Sequence, residues 1–186
     1  VNAEALTRLI AEGSAKSADS LSQITDNKWE VKAVELCVEG GASFDAMLAS
    51  IAKDHYGSHF SIPGATFLVM FSGKSGYLVT TAFTRDHQDR VEGMEKRESK
   101  ALAEAANIFL NPLIGHLASA WKRSIIISAP QMQVASQREL LTSALSRFKD
   151  QDALAAAFHI KLSSANLFSD CAVMIFLDAA LAGLAG

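Results

Sequence analysis

The chain has 186 residues, with 17 Lys and Arg against 20 Asp and Glu for a formal charge of −3. That length fits one domain, or one domain made of two fused halves, and the lack of a basic excess argues against a nucleic-acid partner. Hydrophobic residues make up 49%, enough for a sizeable core and too many for a disordered chain.

Residues 2–24 read as a helix with Asn2 as N-cap. Leu6, Leu9, Ile10, Ala15, Leu21 and Ile24 supply the apolar positions, and Asp26-Asn27 supplies the stop. Trp29 to Val38 alternates as a strand does and ends at Gly40-Gly41. Phe44 to Lys53 reads as a short helix, followed by a turn from His55 to His59. Ile62 to Phe71 and Tyr77 to Phe83 are then expected as strands, joined by a hairpin loop over "SGKSG", Ser72 to Gly76. Residues 85–97 form a charged connector. A second long helix is expected over 98–120, with Leu102, Ala106, Phe109, Leu113, Leu117 and Ala120 on its buried face. After it come a strand from Arg123 to Ala135, a short helix from Arg138 to Phe148, and strands over 153–162 and 171–177. The apolar tail 179–186 is a helix end or packing segment, too brief to enter a bilayer.

The order of elements repeats, and so do residues. A constant shift of 96 lays Leu6 on Leu102, Leu21 on Leu117, Phe44 on Leu140, Leu48 on Ala144, Lys53-Asp54 on Lys149-Asp150, Leu78 on Met174 and Val79 on Ile175. An internal duplication is expected, with halves of about 1–84 and 98–179 inside a single domain spanning 1–186. Neither half buries its strands alone. The expected fold is therefore α+β: two helix-plus-three-strand units in one mostly antiparallel six-stranded sheet, with the two long helices on a face.

The second long helix carries a polar stripe. Lys100, Glu104, Asn107 and Asn111 follow at four, three and four residues and stack on one surface. A carboxylate grips a cation, and a carboxamide one turn away both donates and accepts hydrogen bonds. Glu104-x-x-Asn107, with Pro130 after 22 further residues (130 − 107 − 1), resembles the signature of the CheC/CheX/FliY chemotaxis phosphatases, and so does the duplicated architecture. The resemblance implies a substrate that is itself a protein, the phosphorylated CheY-like response regulator. By it, Glu104 docks a lysine of the regulator, and Asn107 positions the water that attacks the aspartyl phosphate. The catalytic Mg2+ belongs to the regulator, so no cofactor or metal of this chain's own is expected. Lys100 and Asn111 are candidate partner contacts.

The chain departs from that pattern at three places. Lys100 stands where the family has Asp or Ser, with Ser99 one residue off register. Bulky Phe109 and Leu110 follow the motif, and Pro112 is expected to kink the helix. The first half has Arg8, Ala11 and Val34 at the positions of Glu104, Asn107 and Pro130, which implies one site rather than two. The alternative is a non-catalytic module that binds a regulator or another signalling protein through the same helix face. Pro130 also has a purely structural reading, as the interruption of an edge strand.

His55 and His59 are four apart, but Gly57 lies between them and no H-E-x-x-H surrounds them, so a turn role is favoured over zinc. Asp86 to Asp89 reads as linker, and neither His116 nor His159 has an identifiable acid or nucleophile beside it in sequence. "SGKSG" lacks the spacing of a phosphate-binding loop. Cys37 and Cys171 lie in apolar runs outside any ligand motif. No leader and no apolar span of membrane length is legible, which points to a cytoplasmic protein without a membrane partner. A homodimer is compatible with a one-site chain.

Overall fold

The computed structural model describes residues 2–37, 55–86, 97–146 and 154–185. Helix α1 (Ala3–Thr25) begins at Asn2, whose side chain accepts from the Ala5 N–H, and ends at Asp26 in the left-handed conformation. Leu6, Ile10 and Leu21 are buried as the spacing predicts, but Ala15 faces solvent; Gly13, Ser14, Ser17 and Ala18 continue the buried face. Strand β1 (Glu30–Cys37) follows. The Gly40-Gly41 stop expected for that strand and the short helix expected over 44–53 lie outside the described residues, as do His87 to Asp89.

The next stretch corrects the sequence reading. His55 to His59 is not a turn but the start of strand β2 (His55–Ile62), which pairs antiparallel with β3 (Ala65–Ser72). The hairpin sits at Pro63-Gly64, where proline pre-sets φ and Gly64 takes a φ of 85° that a side chain would resist. "SGKSG" is no hairpin: Gly73–Asp86 is helix α2. Val79 and Phe83 are buried while Lys74, Tyr77 and Thr81 are exposed, a spacing of three and four that is helical. The β-branched and aromatic content of 77–83 favours a strand locally, and packing beside the second long helix overrides it.

That second helix, α3 (Arg97–Trp121), runs unbroken through Pro112. Its buried face holds the predicted Leu102, Ala106, Phe109, Leu113 and Leu117; Ala120 is exposed, and Trp121 is buried in its stead. Residues 123–130 carry no regular strand, so the expected strand shortens to β4 (Gln131–Ala135), starting just after Pro130. Helix α4 (Gln137–Leu145) is closed by a Ser136–Glu139 capping box. Strands β5 (Leu154–Ser164) and β6 (Ser169–Asp178) and the one-turn helix α5 (Ala179–Ala182) complete the chain, with Leu181 and Ala182 buried.

The six strands are ordered β1-β5-β6-β3-β2-β4, and every neighbouring pair is antiparallel. Each half thus sends its first strand to the far side of the other half's hairpin. Val69 pairs with Val173 at the centre. The left-handed residues ending the two long helices, Asp26 and Lys122, are 96 apart (122 − 26), as the repeat predicts. At the hairpins the left-handed residues Gly64 and Phe168 are 104 apart (168 − 64), and Leu78 and Val79 lie in α2 rather than on a partner of β6. The gap-free shift therefore holds at the ends of the two long helices and fails for the strands: β5 starts 99 residues after β2 (154 − 55) and β6 starts 104 after β3 (169 − 65), so the departure begins before the hairpins.

Strand alternation divides the core. Phe60, Phe67, Val69, Phe158, Ile160, Val173 and Ile175 face α1 and α3. Leu68, Met70, Met174 and Phe176 face the other way, with Leu140, Leu141 and Ala144 of α4. The two long helices cross where Gly13 lets them touch. A Cβ there would stand 2.7 Å from Leu113 Cδ1 and 3.2 Å from His116 Cδ2.

On the α4 side of the sheet, His159 is buried beside the Glu35–Lys161 ion pair, 2.9 Å between Oε1 and Nζ. Desolvation, then the Lys161 charge, lowers its pKa from the ordinary 6.5, against the opposing pull of Glu35 at 3.8 Å.

Two outcomes follow for stability. Gly13→Ala gains helix propensity but drives a methyl into fully buried Leu113, so denaturant unfolding is expected to show a net loss of about 1–2 kcal/mol. For His159, the unfolded chain takes up the proton at a higher pH than the folded one. Stability therefore falls as pH drops through about 6.5 towards the lower folded value. His159→Gln should flatten the stability difference between pH 7.5 and 5.5 measured by urea titration; an unchanged difference would refute that origin.

Candidate functional site

Helix α3 is held at both ends. In its first turn the Glu98 carboxylate accepts from the Tyr56 hydroxyl of β2, and Arg97 Nη2 donates to Thr84 Oγ1 of α2 at 2.6 Å. Gly76 of α2 makes room for the Tyr56 ring: a Cβ there would stand 2.7 Å from Tyr56 Cδ2 and 3.1 Å from Leu102 Cδ1. Further along, His116 lies against α1, with Nδ1 3.0 Å from Lys16 Nζ and Nε2 3.4 Å from Glu12 Oε2. These contacts and the apolar face below occupy the other sides of α3 among the described residues. Of the predicted stripe, Lys100 and Asn111 are exposed and Glu104 and Asn107 are partly buried. All four lie on the side of α3 opposite Leu102, Phe109 and Leu113.

The stripe is therefore brought together on a rigid helix and presented outward. Its chemistry is that of a contact surface: a carboxylate and a carboxamide without a nucleophile between them. On α1 the positions 96 residues earlier hold Arg8, exposed, and Ala11, half-buried. Pro130 immediately precedes β4, which ends the sheet among the described residues. A proline at the start of an edge strand removes no ladder hydrogen bond, so its place follows from the fold.

The other sequence candidates disperse. His55 and His59 share a strand face but not a helical one, and no group of three or more His, Cys, Asp or Glu among the described residues is placed to hold a metal ion. Cys37 and Cys171 are free thiols on β1 and β6, both with pKa raised, foremost by burial. No helix of the described residues is long and apolar enough to cross a membrane. Sequence reasoning missed the Tyr56–Glu98 and Arg97–Thr84 fastenings, since both join residues remote or out of phase in the chain.

No protein-family model matches the sequence. No curated protein matches it either. Among solved structures, FliY from Thermotoga maritima aligns over the whole of this chain and 95% of its own, at 14% identity and a TM-score of 0.68. The FliM middle domain from H. pylori aligns over the whole of this chain and 98% of its own, at 9% identity and a TM-score of 0.67. The chemotaxis protein CheX from Desulfovibrio desulfuricans covers 91% of this chain and 99% of its own, at 12% identity and a TM-score of 0.59. Likeness at these identities concerns architecture: the chain has the α+β CheC-like fold, a six-stranded antiparallel sheet with helices packed on it.

Proposed function

We propose that the outward face of α3 accelerates hydrolysis of the aspartyl phosphate on a CheY-like response regulator. Asn107 holds the attacking water in line, and Glu104 takes hold of a lysine of the regulator. The observation that carries this reading is the partial exposure of both side chains on a helix whose opposite face is buried and whose first turn is tied to β2 and α2. Phosphoryl transfer to water needs alignment and charge neutralisation more than a protein nucleophile. The regulator's own Mg2+ neutralises the phosphoryl oxygens; this chain supplies the amide. Asn107 accepts from the water through its carbonyl and fixes its lone pair towards phosphorus, while its NH2 group remains available to the regulator's pocket. Lys100, one turn before Glu104, sets how strongly that carboxylate attracts the regulator's cation, and Asn111 extends the contact. Arg8 and Ala11 give α1 neither a carboxylate nor an amide, so one regulator is served at a time.

A second reading is a binding module of the same fold that does not hydrolyse. The FliM middle domain shares this architecture at a TM-score of 0.67, and one fold hosts many functions. Lys100 at the position where the phosphatases carry Asp or Ser favours it.

The test is a dephosphorylation time course against the host's stand-alone receiver domains. Asn107→Ala is expected to lower the accelerated rate about 100-fold, the scale of losing one preorganised donor or acceptor at a reacting centre. Glu104→Ala is expected to raise the regulator concentration needed for half-maximal rate. Full activity in both variants would remove them from the mechanism, and tight binding with an unshortened phosphoryl lifetime would establish the second reading instead.

A further inference from the structure

We infer that Lys100 is a specificity residue: it admits only a regulator that carries a carboxylate beside the lysine held by Glu104. The inference rests on the role of α3 proposed above and adds a feature of the partner. The helix fixes the directions in which the stripe points. From Lys100 to Asn107 it advances about 10 Å and ends about 20° short of two full turns. From Glu104 to Asn107 it advances about 4.5 Å and ends about 60° short of one turn. Lys100 therefore shares its direction with Asn107 more closely than Glu104 does, and it is the more exposed of the two charged side chains. A folded partner of ordinary interface size covers about 800 Å2 on each side, a patch much wider than that separation. Any regulator whose pocket receives Asn107 thus has Lys100 inside its footprint.

Charge then has to balance across that footprint. Lys100 and Glu104 stand one turn apart, the spacing at which opposite charges on a helix interact. When a regulator's lysine takes hold of Glu104, two ammonium groups share one carboxylate on a surface losing its water. The cation left over needs an anion of its own. Glu98 is already engaged by the Tyr56 hydroxyl on the inward side of α3, so the regulator brings the carboxylate. A regulator that offers a lysine alone brings like charges together and is rejected. The helix itself gives no reason for Lys100. It is the fourth residue of α3, in the first turn, where unpaired N–H groups favour anions over cations. Lysine one turn before glutamate is also the weaker order for such a pair. Arg97 in the same turn is fastened to Thr84, whereas Lys100 stands on the outward face. A cation opposed by its local electrostatics, on the face given to a partner, fits selection between partners.

The experiment uses the full chain and the beryllofluoride-loaded form of the stand-alone receiver domain that the wild type dephosphorylates fastest, with affinity read by calorimetry. Lys100→Ser is expected to weaken binding about threefold and Lys100→Glu at least about tenfold. Each Asp or Glu beside the receiver's docking lysine is then changed to Lys in turn, and one of these reversals should restore binding to Lys100→Glu. Both Lys100 variants remove a cation from the first turn of α3, so they should unfold in urea no earlier than the wild type, which separates a lost contact from a lost fold. Tighter binding by Lys100→Ser overturns the inference by making Lys100 a mere competitor for Glu104. Failure of every reversal to restore binding overturns it too. Unchanged affinity in both Lys100 variants, with Asn107→Ala still slow, also overturns it and leaves the proposed function standing. If the wild type neither binds nor dephosphorylates any receiver, the α3 reading fails and the selective role of Lys100 falls with it.

Discussion

The exchange of first strands between the two halves governs everything else in this fold. Strand β1 leaves its own half to pair with β5, and β4 leaves its half to pair with β2, on either side of the central β3–β6 contact. Neither half can unfold without stripping a strand from the other, so the sheet is a single cooperative body. The exchange also carries each long helix across the sheet before its chain enters the far edge. Helix α3 is thereby placed over β2 and β4, and α1 is laid against it at the Gly13–Leu113 crossing.

Placement explains why the stripe on α3 is suited to work on another molecule. The apolar side of the helix is consumed by the sheet, one flank by α1 and α2, and its first turn by Tyr56 and Thr84. A side chain on the remaining direction is fixed in position by a frame it does not contribute to. An amide on a helix so held has little conformational entropy left to lose, which is the condition under which positioning a water would accelerate a reaction. The same property serves a purely binding surface equally well, and the fold is common to FliY, CheX and the FliM middle domain. The fold alone therefore does not separate hydrolysis from recognition; side chains displayed on it do.

Where the sequence reading went astray, the cause was competition between local preference and packing. Residues 77–83 are rich in residues that favour strands, yet they form the helix α2: Val79 and Phe83 are buried while Tyr77 and Thr81, which would share their face in a strand, are exposed. The run from Arg123 to Pro130 looks like a strand, but Pro130 lacks a donor and only β4 after it enters the ladder. The constant shift of 96 held at the helix ends and broke in the sheet, where β5 starts 99 residues after β2 and β6 starts 104 after β3.

By itself the sequence determined both long helices and most of their buried faces, the cap at Asn2 and the stop at Asp26, the α+β class and the polar stripe. Each of these depends on residues within a turn or two of one another, and periodicity and capping chemistry are local. Only the tertiary structure decided that the stripe lies opposite the buried face of its helix and that Tyr56 and Arg97 fasten that helix. Those facts depend on which strand pairs with which across more than a hundred residues, and side-chain pattern alone does not choose among the pairings that bury the same apolar faces.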